Sequence, residues 1–204
     1  MIDIALPKGR LGEKVYELFE NMGYSVNESL KTTRKLVLED SNKEVRFFLI
    51  KPSDVAVYVE RGVADIGIVG KDSLIESGVD VYELLDLGMG KCSMCVCSPI
   101  NYVDDGRKTL NIATKYPNIT RDYYINRDID IIKLNGSIEL APLLGLSHVI
   151  VDIVETGGTL RENNLKVDAK IMELSARVIA SKSRYNFNKA AIDNLINLMD
   201  TRTI

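Results

Sequence analysis

The sequence predicts an α/β protein built as two lobes, and three observations carry that reading. Strand-like and helix-like segments alternate along the 204 residues, the pattern expected of a parallel α/β sheet. Two soft boundaries, Leu87–Lys91 and the region near Lys166–Ile171, suggest a chain that leaves one lobe, builds a second and returns. Apolar residues make up 46% and charged residues 27%, a globular mix in a chain long enough for one domain or two small lobes. A ligand cleft between the lobes would follow naturally.

The elements follow in order. Ile2–Leu6 is a short apolar run suited to a buried first strand, and the polar turn Pro7–Gly12 follows it. Val15, Leu18, Phe19 and Met22 share a face at helical spacing, which predicts an amphipathic helix from about Glu13 to Met22. Leu36–Leu38 and Val45–Ile50 are strand candidates separated by turn residues Asp40–Lys43. Proline fits a first helical turn, so Pro52-Ser53-Asp54 opens a helix that runs to about Arg61 and stops at Gly62. Asp65–Val69 is a short buried strand ending at a Gly70–Ser73 turn, and Val81–Leu85 and Cys92–Cys97 read as further strands. The second half continues with strand Leu110–Thr114, helix Pro117–Ile125, strand Ile129–Leu134, helix Ser137–Leu144 and strand Val149–Val154. Leu165–Ile179 predicts one long or two short strands, and Asn186–Met199 a terminal amphipathic helix.

Charge and cysteine usage narrow the function classes. Lysine and arginine total 26 against 29 acidic residues, so the basic excess of a general nucleic-acid binder is missing. No apolar run approaches membrane-spanning length, and the amino terminus has its charges after its apolar stretch, the wrong order for a secretory signal. Cys92, Cys95 and Cys97 are an odd number crowded together, which is no disulfide framework and suits a reducing cytoplasm. They lie in a strand whose alternate residues face opposite sides, with only His148 to add an imidazole. They therefore read as structural rather than metal-binding, and His148 as a structural histidine.

The most informative stretch is Val149 through Leu160. A buried strand picks up two carboxylates, Asp152 and Glu155, enters the turn Thr156-Gly157-Gly158-Thr159 and starts a helix. Glycines let consecutive backbone N–H groups converge, the helix N-terminus adds partial positive charge, and two threonine hydroxyls complete a cradle for a phosphate dianion. Asp152 and Glu155 would lie beside whatever the phosphate is attached to, able to accept from sugar hydroxyls or help hold magnesium. The bland alternative is a strand-to-helix turn in which the threonines serve only as caps. Neither a Walker loop nor a Rossmann fingerprint occurs.

Weaker signals sit after other strands. Lys8 and Arg10, in Pro7-Lys8-Gly9-Arg10, follow the first strand, where ligands of open α/β sheets bind. Lys51 in Lys51-Pro52-Ser53-Asp54 could face an anion, and Glu139 in Gly136-Ser137-Ile138-Glu139 stands in a helix's first turn, where capping is its ordinary use.

Together these segments resemble the ATP phosphoribosyltransferase family of histidine biosynthesis. The matching pieces are Ala5–Leu11, Thr33-Arg34-Lys35-Leu36, Ala64–Asp72, Ala113–Asn118, Gly136–Pro142 and Asp152–Leu165, in the family's order over nearly the whole chain. The resemblance implies two lobes of the periplasmic-binding-protein type (type II), with the active site in the interlobe cleft. Residues 1–90 plus about 175–204 would form lobe I, and about 91–174 lobe II with the phosphate-binding loop. The chain ends after one terminal helix, like the family's short form. That form implies a regulatory subunit similar to histidyl-tRNA synthetase, in a hetero-octamer.

The implied reaction joins N1 of ATP to C1 of phosphoribosyl pyrophosphate with magnesium, releasing pyrophosphate. Glu155, Thr156, Gly157, Gly158, Thr159 and Leu160 would cradle the ribose 5-phosphate with Asp152 near the ribose. Arg10, Glu139 and Lys115 would complete the substrate-binding set. Lys8, Arg34 and Lys51 are the candidates to neutralise the departing pyrophosphate. Lys51 departs from the arginine usual in short-form relatives, keeping the charge but losing the planar fork. Two rivals differ in class: a nucleobase-salvage phosphoribosyltransferase, which shares acidic residues before Thr-Gly-Gly-Thr, and a non-enzymatic sensor or solute-binding lobe pair.

Overall fold

A computed structural model describes all residues except 27, 29, 31 and 202–204. The chain divides into two compact units, Met1–Gly90 with Ser175–Ile204, and Lys91–Leu174.

Among the described residues the first unit holds a six-stranded sheet. Its strands are β1 (Ile2–Pro7), β2 (Val37–Glu39), β3 (Val45–Ile50), β4 (Ile66–Gly70), β5 (Tyr82–Asp86) and β11 (Ala176–Ala180), in the order β2-β3-β1-β4-β11-β5. β1 runs parallel to β3 and β4, whereas β11 is antiparallel to β4 and β5 and β2 is antiparallel to β3. Helices α1 (Arg10–Asn21), α2 (Val55–Glu60), α3 (Lys71–Ser77) and α7 (Lys182–Asp200) complete the unit.

The core on one face joins Ile4 and Leu6 of β1 to Phe19, Phe47, Ile66, Ile68, Val178 and Ile192. Phe19 and Phe47 meet edge to face at 5.2 Å, and burying each ring stabilises the fold by about 1.5–3 kcal/mol. Gly12 lets α1 turn back over β1, because a Cβ there would lie 1.8 Å from the Pro7 carbonyl oxygen. A polar knot closes the other end of the strands. Buried Asp65 accepts the Asp3 amide at 2.8 Å and Asn188 Nδ2 at 3.2 Å, and Asn188 is the one non-helical residue within α7. Asp3 in turn accepts a two-pronged contact from Arg46 at 2.8 and 2.9 Å.

The second unit holds, among its described residues, a five-stranded sheet of β6 (Cys92–Pro99), β7 (Leu110–Thr114), β8 (Ile129–Lys133), β9 (Val149–Val154) and β10 (Leu165–Leu174). The order is β10-β6-β9-β7-β8, with β7 parallel to β8 and β9 and with β6 antiparallel to β9 and β10. Cys95, Cys97, Ala113 and Ile150 share one face with Ala141 of α5 (Leu140–Leu143) and Leu160 of α6 (Gly158–Glu162). Helix α4 (Pro117–Tyr123) begins with the expected proline. His148 is structural: its Nδ1 accepts the Asn111 amide at 3.0 Å and its ring stacks on Tyr102.

Several local expectations are corrected. Both sheets are mixed rather than purely parallel, because β6 and β11 each enter against their neighbours. Leu165–Ile179 is two strands that belong to different sheets. The Gly70–Ser73 turn is instead the start of α3, with Asp72 favourable in its first turn and Gly78 ending it in the left-handed region. The helix expected from Pro52 begins only at Val55, after a turn, and the one expected from Ser137 contracts to Leu140–Leu143, since Ser137 has φ of +50°. Helix α1 starts at Arg10 rather than Glu13, because Gly9 can take the φ of +99° found before it. Among the described residues no helix is long and apolar enough to cross a membrane.

Candidate functional site

The cations of the first unit gather at the carboxyl ends of β1 and β3. Pro7 lies opposite Ile50 in parallel register, and the Lys8 amide donates to the Ile50 carbonyl at 2.8 Å. Lys8 and Lys51 therefore leave adjacent strands at the same level. The Leu49 amide donates to the Leu36 carbonyl at 2.8 Å, which draws the Thr33–Leu36 segment to the same end of the sheet. Lys8, Thr33 and Lys35 line a hollow of about 150 Å³ together with Gly9 and Glu13. Lys8, Arg10, Arg34 and Lys51 are all exposed; of these, only Lys8 lines the hollow. Glu28 braces the segment, pairing with Lys35 and accepting Thr33 Oγ1 at 2.8 Å. The Lys35 hydrogen bond, helped by Thr33, holds its carboxyl below the usual range.

The second unit presents a hollow of about 250 Å³ lined by Glu139, Ile150, Asp152 and the run Glu155–Leu160. Strand alternation along β9 explains the placement: buried Ile150 and half-buried Asp152 share the face against which α5 and α6 lie. Asp152 Oδ1 accepts the Ile153 amide at 2.8 Å. Thr114 is paired with Val151 and donates its Oγ1 to the Val151 carbonyl at 2.7 Å, so exposed Lys115 and Asp152 follow matched positions of parallel strands. Lys115 Nζ also lies 5.8 Å from the Tyr116 ring centroid.

The Thr156–Thr159 turn carries the backbone amides and hydroxyls that an anion cradle would need. Gly157 sits at φ of +70°, a left-handed conformation that would cost another residue about 1–2 kcal/mol. The amide of Arg161 donates to the Gly157 carbonyl at 3.2 Å, and the earlier amides of the turn precede any helical acceptor. Only the Gly158 amide reaches a side chain, Thr156 Oγ1 at a long 3.5 Å. With five residues, α6 is too short to contribute much of a macrodipole. Any attraction for an anion would therefore rest on loop amides and hydroxyls rather than on the helix expected from sequence.

Each unit thus brings together its own set. Lys8, Lys51 and the Arg34 segment converge in the first unit. Glu139, Asp152, Glu155, Thr156, Gly157, Gly158, Thr159 and Leu160 line one hollow in the second, with Lys115 beside Asp152. Arg10 opens α1 and is not among the residues that line the Lys8 hollow. Sequence reasoning missed Thr33 and Lys35, which flank Arg34, and Arg161, whose side chain reaches back to the turn. Among the described residues no three His, Cys, Asp or Glu side chains converge as a metal cage. Burial raises the Cys95 thiol and pushes Cys97 up to about 12, so both stay protonated near neutrality, as structural cysteines do.

A family model described as ATP phosphoribosyltransferase matches residues 51–201. An ATP phosphoribosyltransferase of Brachyspira hyodysenteriae is 59% identical, over 96% of this chain and 97% of its own. Among solved structures, the ATP phosphoribosyl transferase (HisG:HisZ) complex of Thermotoga maritima is similar, with a TM-score of 0.87 and 32% identity over 100% of this chain and 98% of that one. The periplasmic aliphatic sulphonate binding protein of Escherichia coli shares the fold at 12% identity, with a TM-score of 0.62 over 99% of this chain and 68% of its own. The sheet order, the turn after β9 and these likenesses converge: the chain belongs to the ATP phosphoribosyltransferase family.

Proposed function

We propose that this chain joins N1 of ATP to C1 of phosphoribosyl pyrophosphate and releases pyrophosphate, the first step of histidine biosynthesis. The observation that carries the reading is the Glu155–Leu160 turn, which shares its hollow with Asp152 and Glu139 in a member of this family. The turn takes the ribose 5-phosphate through its backbone amides and threonine hydroxyls, and Asp152 accepts from the ribose hydroxyls.

In the reaction the N1 lone pair forms a bond to C1 while the bond from C1 to the pyrophosphate oxygen breaks, its electron pair leaving with pyrophosphate. Positive charge develops on the sugar and negative charge on the leaving group, so orientation and charge stabilisation supply most of the catalysis. Lys8, Arg34 and Lys51 face the departing charge, and Arg10 and Lys115 add binding contacts. One or two carboxylates from Glu139, Asp152 and Glu155 fit a magnesium ion that substrate phosphates hold for the most part, where it would neutralise phosphate charge. The HisG:HisZ complex of the Thermotoga maritima relative supports a regulatory partner for this chain. We extend that to a histidyl-tRNA-synthetase-like subunit in a hetero-octamer, working in the cytoplasm.

Pyrophosphate-coupled formation of phosphoribosyl-ATP tests the proposal, using ATP, phosphoribosyl pyrophosphate and magnesium with this chain alone and then with the regulatory subunit. Product in either arm supports the reaction. Its absence from both arms, with folded and assembled proteins, overturns it, and turnover of a free nucleobase instead would point to the salvage class.

A further inference from the structure

The side chain of Arg161 doubles back along α6. Its Nη1 donates to the Thr156 carbonyl at 3.2 Å and would lie 3.4 Å from a Cβ built on Gly157. The same residue's amide donates to the Gly157 carbonyl at 3.2 Å, so Arg161 grips both residues that begin the turn. Both carbonyls are thereby occupied as acceptors, which leaves the amides of the turn to meet an anion.

We propose that Arg161 is the positioning residue of the 5-phosphate cradle. It holds the Thr156 carbonyl as an acceptor, so that the amides of the turn converge before the phosphate arrives. This rests on the assignment of the Glu155–Leu160 turn to the ribose 5-phosphate. The arginine is exposed, on a five-residue helix, and lies outside the hydrophobic cluster of Cys97, Ile150 and Leu160. A stability role for it is therefore minor, since exposed substitutions away from special features change stability little. Its contribution is preorganisation: without the brace the turn must be ordered at the moment of binding, which weakens affinity for the phosphate-bearing substrate and leaves the later chemistry intact.

The test compares Arg161→Ala, Arg161→Lys and Thr159→Val in the full chain with its regulatory subunit, reading KM for each substrate, kcat and the thermal midpoint. Arg161→Ala is expected to raise KM for phosphoribosyl pyrophosphate by about tenfold, the size of one lost charged hydrogen bond. KM for ATP and kcat should stay within about twofold and the midpoint should not move. Arg161→Lys, which can still donate to the carbonyl, should recover part of the loss. Direct titration with ribose 5-phosphate should weaken in parallel. If Thr159→Val weakens phosphoribosyl pyrophosphate binding while Arg161→Ala does not, the brace is refuted and the cradle stands. If neither variant changes that binding, the cradle assignment itself fails. A fall in midpoint with all kinetic constants worsening together would assign Arg161 to folding and overturn the proposal.

Discussion

The amide of Lys8 donates to the carbonyl oxygen of Ile50 at 2.8 Å, and this one bond sets two lysines side by side. Lys8 and Lys51 are the residues that leave β1 and β3, so the parallel register of Pro7 with Ile50 carries directly into adjacent positive charges at the sheet's carboxyl end. Under the proposed function, the polyanion that neutralises both is the departing pyrophosphate.

Lys51→Ala is expected to lower kcat more than it raises KM, by about tenfold or more, because leaving-group charge is greatest in the transition state. Lys51→Arg keeps the charge and should retain most turnover. Steady-state kinetics with both substrates varied decides this, and an unchanged kcat for the alanine variant removes Lys51 from the catalytic set.

Asp152→Asn keeps the size of the side chain on β9 but removes its charge. If the carboxylate faces the sugar as positive charge develops, kcat should fall by about a hundredfold. A weakened KM with normal kcat would instead limit Asp152 to ground-state binding of the ribose.

Asp40 closes the turn between β2 and β3. Burial works to raise its pKa, but hydrogen bonds from the amides of Val45, Asn42 and Glu44 outweigh that and hold it below the usual range. A depressed folded-state value contributes stability above the unfolded pKa and loses it as pH falls through the folded one. Asp40→Asn should cost about 1–3 kcal/mol at neutral pH and flatten the acid limb of the stability profile, as urea unfolding across pH 3–7 would reveal about the usual carboxylate range.

Cys97 gives the opposite limb. Burial foremost pushes its thiol up to about 12, so the unfolded chain ionises first as pH rises. Stability contributed below the unfolded thiol pKa is then lost progressively between about 9 and the folded value. Cys97→Ala should make that alkaline decline shallower. In the native protein, an alkylating reagent near neutrality should modify half-buried Cys92 well before Cys95 or Cys97.

What was legible in the sequence was what local pattern encodes. The apolar runs of β1, β3 and β9 announced themselves, as did the carboxylates and glycines around Thr156. Elements that depend on distant partners did not. Nothing within Ala176–Ala180 indicates that it enters the first sheet between β4 and β5, because that choice is made by pairing with Ile66–Gly70. Helix α3 was hidden because Gly70 reads as a turn residue, yet here it serves as a helix N-cap. Arg161 was missed for a different reason. A cation in a short helix is ordinary, and its backward reach to Thr156 is a property of side-chain conformation rather than of spacing.

The second unit is one continuous stretch whose ends meet: Cys92 pairs with Leu174 across β6 and β10. The first unit closes likewise, with the Ala176 amide donating to the Met89 carbonyl at 2.9 Å. Every strand of each sheet therefore comes from its own unit's stretches of chain. The same junction is where a protein engineer would cut to swap this half between relatives or to express it by itself.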